Sequence, residues 1–288
     1  MGKKRRTTTE EAETPPAPAP VTAEESGIPC ARALFSMASH IGMVREENED
    51  SAFAWLQHLS THEGLQTVGL FMVADGMGGH LHGEAASRLA VQTAGESLLR
   101  HVILPSLSSE AMTPAVPIQE AIAEAFQAAH QRLQEKVPDG ATTLTIVLLM
   151  GKRIYVGHAG DCRLYLLRGG ELRQLTRDHS LLHRLFELGQ IDPEELEALD
   201  QDARRNALYR AVGQPNPLEI DLASHSLLAG DGLVLCSDGL WGAVPRAEMK
   251  DILQQAPTPA DACQALVAAA NAHGGPDNIT VIVVHPAG

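Results

Sequence analysis

No stretch of this chain approaches the ~18 consecutive apolar residues of a membrane-spanning helix, so no such segment is expected. The basic start, MGKKRRTTTEE, has no apolar segment behind it and does not read as a secretory signal. Gly2 suggests myristoylation, but Arg6 stands where that motif wants Ser or Thr. C-x-x-C is missing. The four cysteines, Cys30, Cys162, Cys236 and Cys263, are widely spaced. That excludes a zinc ribbon or a thioredoxin-type motif and reads as reduced thiols of a cytoplasmic protein. There is no G-x-S-x-G elbow and no G-x-x-x-x-G-K-[ST] loop; Gly151-Lys152-Arg153 lacks the rest of the latter. Positive charge is also short. With 22 Lys and Arg against 36 Asp and Glu the net charge is −14, which disfavours nucleic acid and anionic lipid as partners.

What is present fits a globular chain with a sizeable core: 288 residues, 44% hydrophobic and 20% charged. Residues 1–29 are the exception. They include ETPPAPAP, and their four basic and five acidic groups nearly cancel. Such a composition buries too little apolar surface to offset its ordering entropy, so 1–29 are expected to be a disordered tail and 30–288 one folded domain.

Periodicity divides that domain into blocks. Strands are expected at 32–40, 51–57, 68–74, 142–150, 153–158, 163–167, 172–175, 218–226, 232–236 and 278–285. Helices are expected at 84–101 and 118–136, and another starts at Thr258-Pro259 and stops before Gly274-Gly275. Residues 178–213 are polar and helical in pattern, with Pro193 at a helix start. Gly169-Gly170 reads as a hairpin turn. Strand runs with hairpin connections, separated by helix pairs, do not suit a βαβ array. They suit an α+β fold of two antiparallel sheets face to face, covered by helices.

Five aspartates stand at strand boundaries. Asp75 ends the apolar run in FMVADGMGGH, Asp238 ends GLVLCSDGL, and Asp161 follows IYVGHAG. Asp277 and Asp50 stand just before strands. One Asp-Gly is an ordinary turn, but several on the edges of apolar strands can meet on one rim of a sandwich. Carboxylates gathered there repel one another unless a cation sits among them, and an oxygen-only set favours a hard cation such as Mg²⁺ or Mn²⁺. His80-Leu81-His82 has no third nitrogen or sulfur ligand nearby and makes a weak zinc pair. Arg45, five residues before Asp50, is the group wanted for bidentate phosphate binding beside such a cluster.

GMVREENED, VADGMGGHLHGEAAS, GATTLTIVL, GHAGDCRLYLLRGGELRQLTRDHS, LCSDGL and GGPDNITVIV occur in an order that resembles the bacterial-type PPM family, the metal-dependent type 2C protein phosphatases. The resemblance runs from about Ala31 to the C-terminus. It implies a four-layer αββα sandwich, a site for two Mn²⁺ or Mg²⁺ ions with a weaker third, and hydrolysis of phosphoserine and phosphothreonine in proteins. By position it implies that Asp75 bridges the two metals, that the Gly76 carbonyl is a ligand, and that Asp238, Asp277 and Asp50 complete the set. Asp161 with Asp238 would hold the third ion. Arg45 would bind the phosphate, His80 would be the general acid, and about 178–213 would be a flap beside the site. The partners implied are phosphorylated proteins, among them a Ser/Thr kinase and its substrates, met by a monomer. Cys162 departs from the usual Ser, and LDQDARRNALYRAVG lacks the His-Pro often found before Arg-Asn in the flap. A small-molecule phosphohydrolase and a non-catalytic phosphoprotein binder stay open as rival readings.

Overall fold

The computed structural model describes residues 2, 33–61, 64–77, 81–108, 116–192 and 207–286. The expected tail apart from Gly2, the start of a helix at Pro193 and the middle of the expected flap lie outside the described residues.

Eleven strands build two antiparallel sheets among the described residues. One sheet has the order β1 (Leu34–His40), β11 (Ile279–His285), β10 (Gly232–Cys236), β7 (Arg163–Arg168) and β8 (Glu171–Gln174). The other has the order β2 (Asp50–Thr61), β3 (Gly64–Met77), β5 (Leu144–Met150), β6 (Arg153–Ala159) and β9 (Asp221–Ser226), with the short β4 (Ala141–Thr142) paired to the end of β3. Gly169 and Gly170 close the β7–β8 hairpin, both with positive φ as a two-residue turn requires.

The strands are apolar without clear alternation because both faces are covered. On β3, Phe71 and Val73 point between the sheets, while Leu70, Met72 and Ala74 point outward to helices. On β10, Leu233 and Leu235 point inward, and Val234 and Cys236 outward. Successive residues of a strand face opposite ways, so each strand feeds two cores at once. Each fully buried Leu, Val or Phe contributes roughly 1.5–3 kcal/mol.

Helices α1 (Leu81–Leu98) and α3 (Ile118–Lys136) cover the second sheet. Ala86, Ala90 and Ala94 form a buried row at four-residue spacing on α1, facing Ala121, Ala125 and Ala129 of α3. Gly157 of β6 lets α3 settle: a Cβ there would meet Ile122 Cγ2 at 2.4 Å. A π-helical turn at Leu99–Ile103 links α1 to α2 (Leu104–Ser108). After α4 (Leu181–Glu187) and the one-turn α5 (Asp238–Trp241), helices α6 (Arg246–Gln255) and α7 (Pro259–Ala272) cover the first sheet. Thr258 caps α7, its Oγ1 accepting from the Asp261 N–H. The layers are helix, sheet, sheet, helix, as expected.

Several boundaries differ from the sequence reading. β3 does not stop at Ala74; it runs through Asp75 to Met77, because Gly76 and Met77 pair with Thr142 and Ala141. The β2–β3 hairpin extends to Thr61 and Gly64, where polar residues continue the ladder beyond the core. Asp238-Gly239 is no turn but the start of α5. α6, a mostly polar helix anchored by Met249 and Leu253, was not expected from the sequence.

Candidate metal centre

Asp50 and Asp75 face each other directly on β2 and β3. Residues in register on neighbouring antiparallel strands share a face, and like charges placed so are destabilising. Both lie on the inner face, at one end of the strand pair. Asp161 follows β6 and Asp238 opens α5, both buried, and Asp277 precedes β11. Loss of hydration raises the Asp75 carboxyl well above its ordinary value, and Asp238, Asp50, Asp161 and Asp277 raise it further. Loss of hydration likewise pushes Asp50 up to about 8, against the lowering pull of the Ser237 hydroxyl, with Asp238 and Asp277 adding to the rise.

Neutral groups hold this charge in place. Ser237 Oγ donates to Asp50 Oδ2 at 2.7 Å and accepts from the Thr280 N–H at 2.9 Å, so one hydroxyl ties β2 to the opposite sheet. The Asp75 N–H donates to Thr143 Oγ1 at 2.8 Å, and the Asp75 carbonyl accepts from the Thr143 N–H at 2.9 Å. Asn278 clamps the loop bearing Arg45: its Oδ1 accepts from the Glu49 N–H, and its Nδ2 donates to the carbonyls of Ile41 and Glu47. Gly76 is required by space, since a Cβ there would lie 2.1 Å from the Gly83 carbonyl oxygen at the start of α1.

Arg45, Asp75, Gly76, Asp161, Asp238 and Asp277 line one cavity of about 210 Å³, with Glu49, Thr143 and Leu208 also on its wall. Asp50, in register with Asp75 on the neighbouring strand, is not on its wall. Arg45 Nη2 donates to Asp277 Oδ2 at 2.6 Å, with the arginine side chain 45% exposed at the rim. His80, with Gly78 and Gly79, lies outside the described residues. A larger groove of about 770 Å³ runs between β2 and α1, but Glu96 is its only carboxylate, and that is paired with Arg100. Chemistry, not size, selects the smaller cavity.

The donor set fits a hard cation. Oδ1 of Asp50 is sealed from solvent and has no hydrogen-bond partner among the described residues. Beside it Asp75 holds its proton tightly, chiefly because its carboxyl has lost its hydration. Among the described residues no three ligand-type side chains already close on a single point as a finished cage. Ser237, Thr143 and Asn278 escaped the sequence reading. Ser237 and Asn278 stand directly beside the motif aspartates in CSDGL and PDNIT, the one signal that marks them.

An αββα sandwich with carboxylates gathered at one rim defines a class, the metal-dependent phosphatases. The chain belongs to the protein phosphatase 2C family, whose model matches residues 46–272. It is 34% identical over 243 residues to the "Serine/threonine phosphatase stp" of Listeria innocua, covering 84% of this chain and 92% of that one. The solved serine/threonine phosphatase of S. agalactiae superposes with a TM-score of 0.73 at 31% identity, covering 88% of this chain and 99% of that one. The catalytic domain of the phosphatase PstP, solved in complex with two manganese ions, gives a TM-score of 0.69 at 32% identity, covering 88% and 97%. Arg45 and Asp277 fall outside the stretch that the family model matches, and their pairing at the rim rests on geometry alone.

Proposed function

We propose that this phosphatase hydrolyses phosphoserine and phosphothreonine in proteins at a Mn²⁺ or Mg²⁺ centre held by Asp50, Asp75, Gly76, Asp238 and Asp277, with Asp161 and Asp238 serving a weaker third ion. The observation that carries this reading is the convergence of Asp75, Asp161, Asp238, Asp277 and Arg45 on a single cavity, with Asp50 opposite Asp75 on the neighbouring strand. Bound cations supply water activation and charge neutralisation in such a site. The protein's own part is to hold and orient. Asp75, fixed through Thr143 on its strand, and Asp50, fixed through Ser237, aim their carboxylates from one sheet. Asp238 and Asp277 answer from the other. Arg45 grips the phosphate as a fork and offsets the charge that builds on its oxygens. His80 returns a proton to the departing serine or threonine oxygen.

The rest of the reading follows from this chemistry. The substrates are phosphorylated proteins, among them a Ser/Thr kinase and the proteins it modifies, and the enzyme meets them as a monomer. Residues 30–288 form the catalytic domain with a flap at about 178–213. Buried free thiols at Cys162, Cys236 and Cys263 fit the reducing cytoplasm. Among the described residues no helix is long and apolar enough to cross a membrane.

Turnover of a phosphothreonine peptide tests the reading. It should be lost in EDTA and return with Mn²⁺. Full activity in chelator excludes the metal centre, and turnover of small phosphate esters alone favours a small-molecule phosphohydrolase. Binding of the peptide without release of phosphate favours a non-catalytic binder.

A further inference from the structure

A chain of contacts leads from the site to the base of the flap. Trp241 Nε1 donates to the main-chain carbonyl of Asp161 at 3.0 Å. Trp241 is also the last residue of α5, whose first residue is Asp238, and the Gly242 N–H closes that turn on the Asp238 carbonyl at 2.8 Å. One indole therefore links two aspartates that stand far apart in the chain, Asp161 and Asp238. The Arg163 guanidinium lies over the indole, its Cζ 3.4 Å from the ring centroid. Arg163 Nε donates to both Asp178 oxygens at 3.0 Å, and its Nη2 donates to Oδ2. Gln174 Nε2 donates to Asp178 Oδ1 at 2.9 Å.

Asp178 stands where the flap segment leaves the sheet. The next residue, His179, donates its N–H to the Gly160 carbonyl at 2.8 Å, and its Nδ1 accepts from the Gly160 N–H at 3.2 Å. The returning end of the segment docks beside it: the Tyr209 N–H donates to the His179 carbonyl, and the Leu181 N–H to the Ala207 carbonyl. The outgoing end of the flap is thus fastened to the turn that bears Asp161, and the returning end to the outgoing one.

We propose that Trp241, braced by the Arg163–Asp178 pair, is a positioning residue that sets the spacing between Asp161 and Asp238 and ties it to the base of the flap. The inference rests on the proposed role of these two aspartates in the weaker cation site. It makes affinity for that cation a property of the flap's anchorage as well as of the carboxylates. None of the three bracing side chains is placed on substrate.

Trp241→Phe removes the N–H and keeps an aromatic ring beneath Arg163. Arg163→Lys keeps the N–H and loses the fork on Asp178. Both should melt within a few degrees of the wild type in EDTA. In calorimetric Mn²⁺ titrations of the full chain, tight binding should persist while the weakest phase shifts about tenfold to higher Mn²⁺. At low Mn²⁺, kcat for a phosphothreonine peptide should fall with KM little changed, and added Mn²⁺ should restore it. Should Trp241→Phe unfold, the Arg163→Lys titration decides alone. Asp161→Asn is the control. If it shifts the weak phase and both bracing variants keep the wild-type isotherm, the coupling is wrong. If Asp161→Asn itself keeps that isotherm, the assignment of Asp161 falls, and the coupling with it.

Discussion

Along β2 and β3 the cross-strand pairs Ala54–Phe71 and Ala52–Val73 face the space between the two sheets, and the next pair on that face is Asp50–Asp75. The ladder continues unchanged through all three pairs. Only the side chains differ, and with them the balance of forces. The first two pairs gain from leaving water. The third loses by it, and its carboxyls bind protons more tightly than free ones do. A site built in this way borrows its rigidity from the core two residues away, while its charge costs stability until a cation arrives.

The sharpest way to break the comparison is to alter each end in turn. Phe71→Ala should cost about 3–5 kcal/mol in urea unfolding, from lost burial and a cavity. Peptide turnover by the molecules that remain folded should stay near that of the wild type. Asp75→Asn should do the reverse. Turnover should fall at least about 100-fold, while stability in EDTA holds or rises because one buried like charge is gone. A parallel loss of stability and turnover in both variants would mean that the core and the site are not separable.

Smaller, and also buried, is His158. It sits opposite Thr145 on β5. Its Nδ1 is 2.8 Å from Thr145 Oγ1, and its Nε2 is 3.0 Å from the Arg177 carbonyl, which accepts the ring proton. Loss of hydration, reinforced by the neighbouring His179, lowers its pKa to about 4 from an ordinary 6.5. The folded state therefore refuses a proton that the unfolded chain accepts between these values. Stability from this group is intact above about pH 6.5 and is lost as pH falls toward 4, about 3 kcal/mol in all. In EDTA, the stability advantage of the wild type over His158→Gln should shrink by about 2 kcal/mol between pH 7 and pH 5 in urea titrations. A constant difference would show that the imidazole is not held neutral.

Much of this was legible in the sequence because chemistry and position coincide in it. Each aspartate of the site stands beside an apolar run, and apolar runs of five to seven residues mark the strands that bring them together. What stayed hidden depends on partners distant in the chain. Nothing local says that Ser237 will reach Asp50, or that Arg163 will lie between Asp178 and Trp241. The extent of β3 was hidden for a similar reason: Gly76 and Met77 are strand residues only because β4 arrives to pair with them.

The smallest expected effect concerns the rim, where the comparison is between two uses of one arginine. Arg45 is held by Asp277 at 2.6 Å, with the arginine about half exposed. An exposed pair of this kind is worth at most about 1 kcal/mol, so Arg45→Ala should hardly change the melting temperature. If Asp277 holds a cation as proposed, its carboxylate would be shared and the Arg45 fork left for phosphate. In the proposed role the guanidinium meets the phosphate of the bound substrate as well as that of the transition state, so its loss should appear mainly in KM, about tenfold higher, with kcat changed far less. Arg45→Lys keeps the charge but not the fork, and should fall between the two. Michaelis curves for all three proteins on one phosphothreonine peptide at saturating Mn²⁺ make the measurement. A fall in kcat at constant KM would assign Arg45 to the transition state alone, and identical curves would leave it as a surface partner of Asp277.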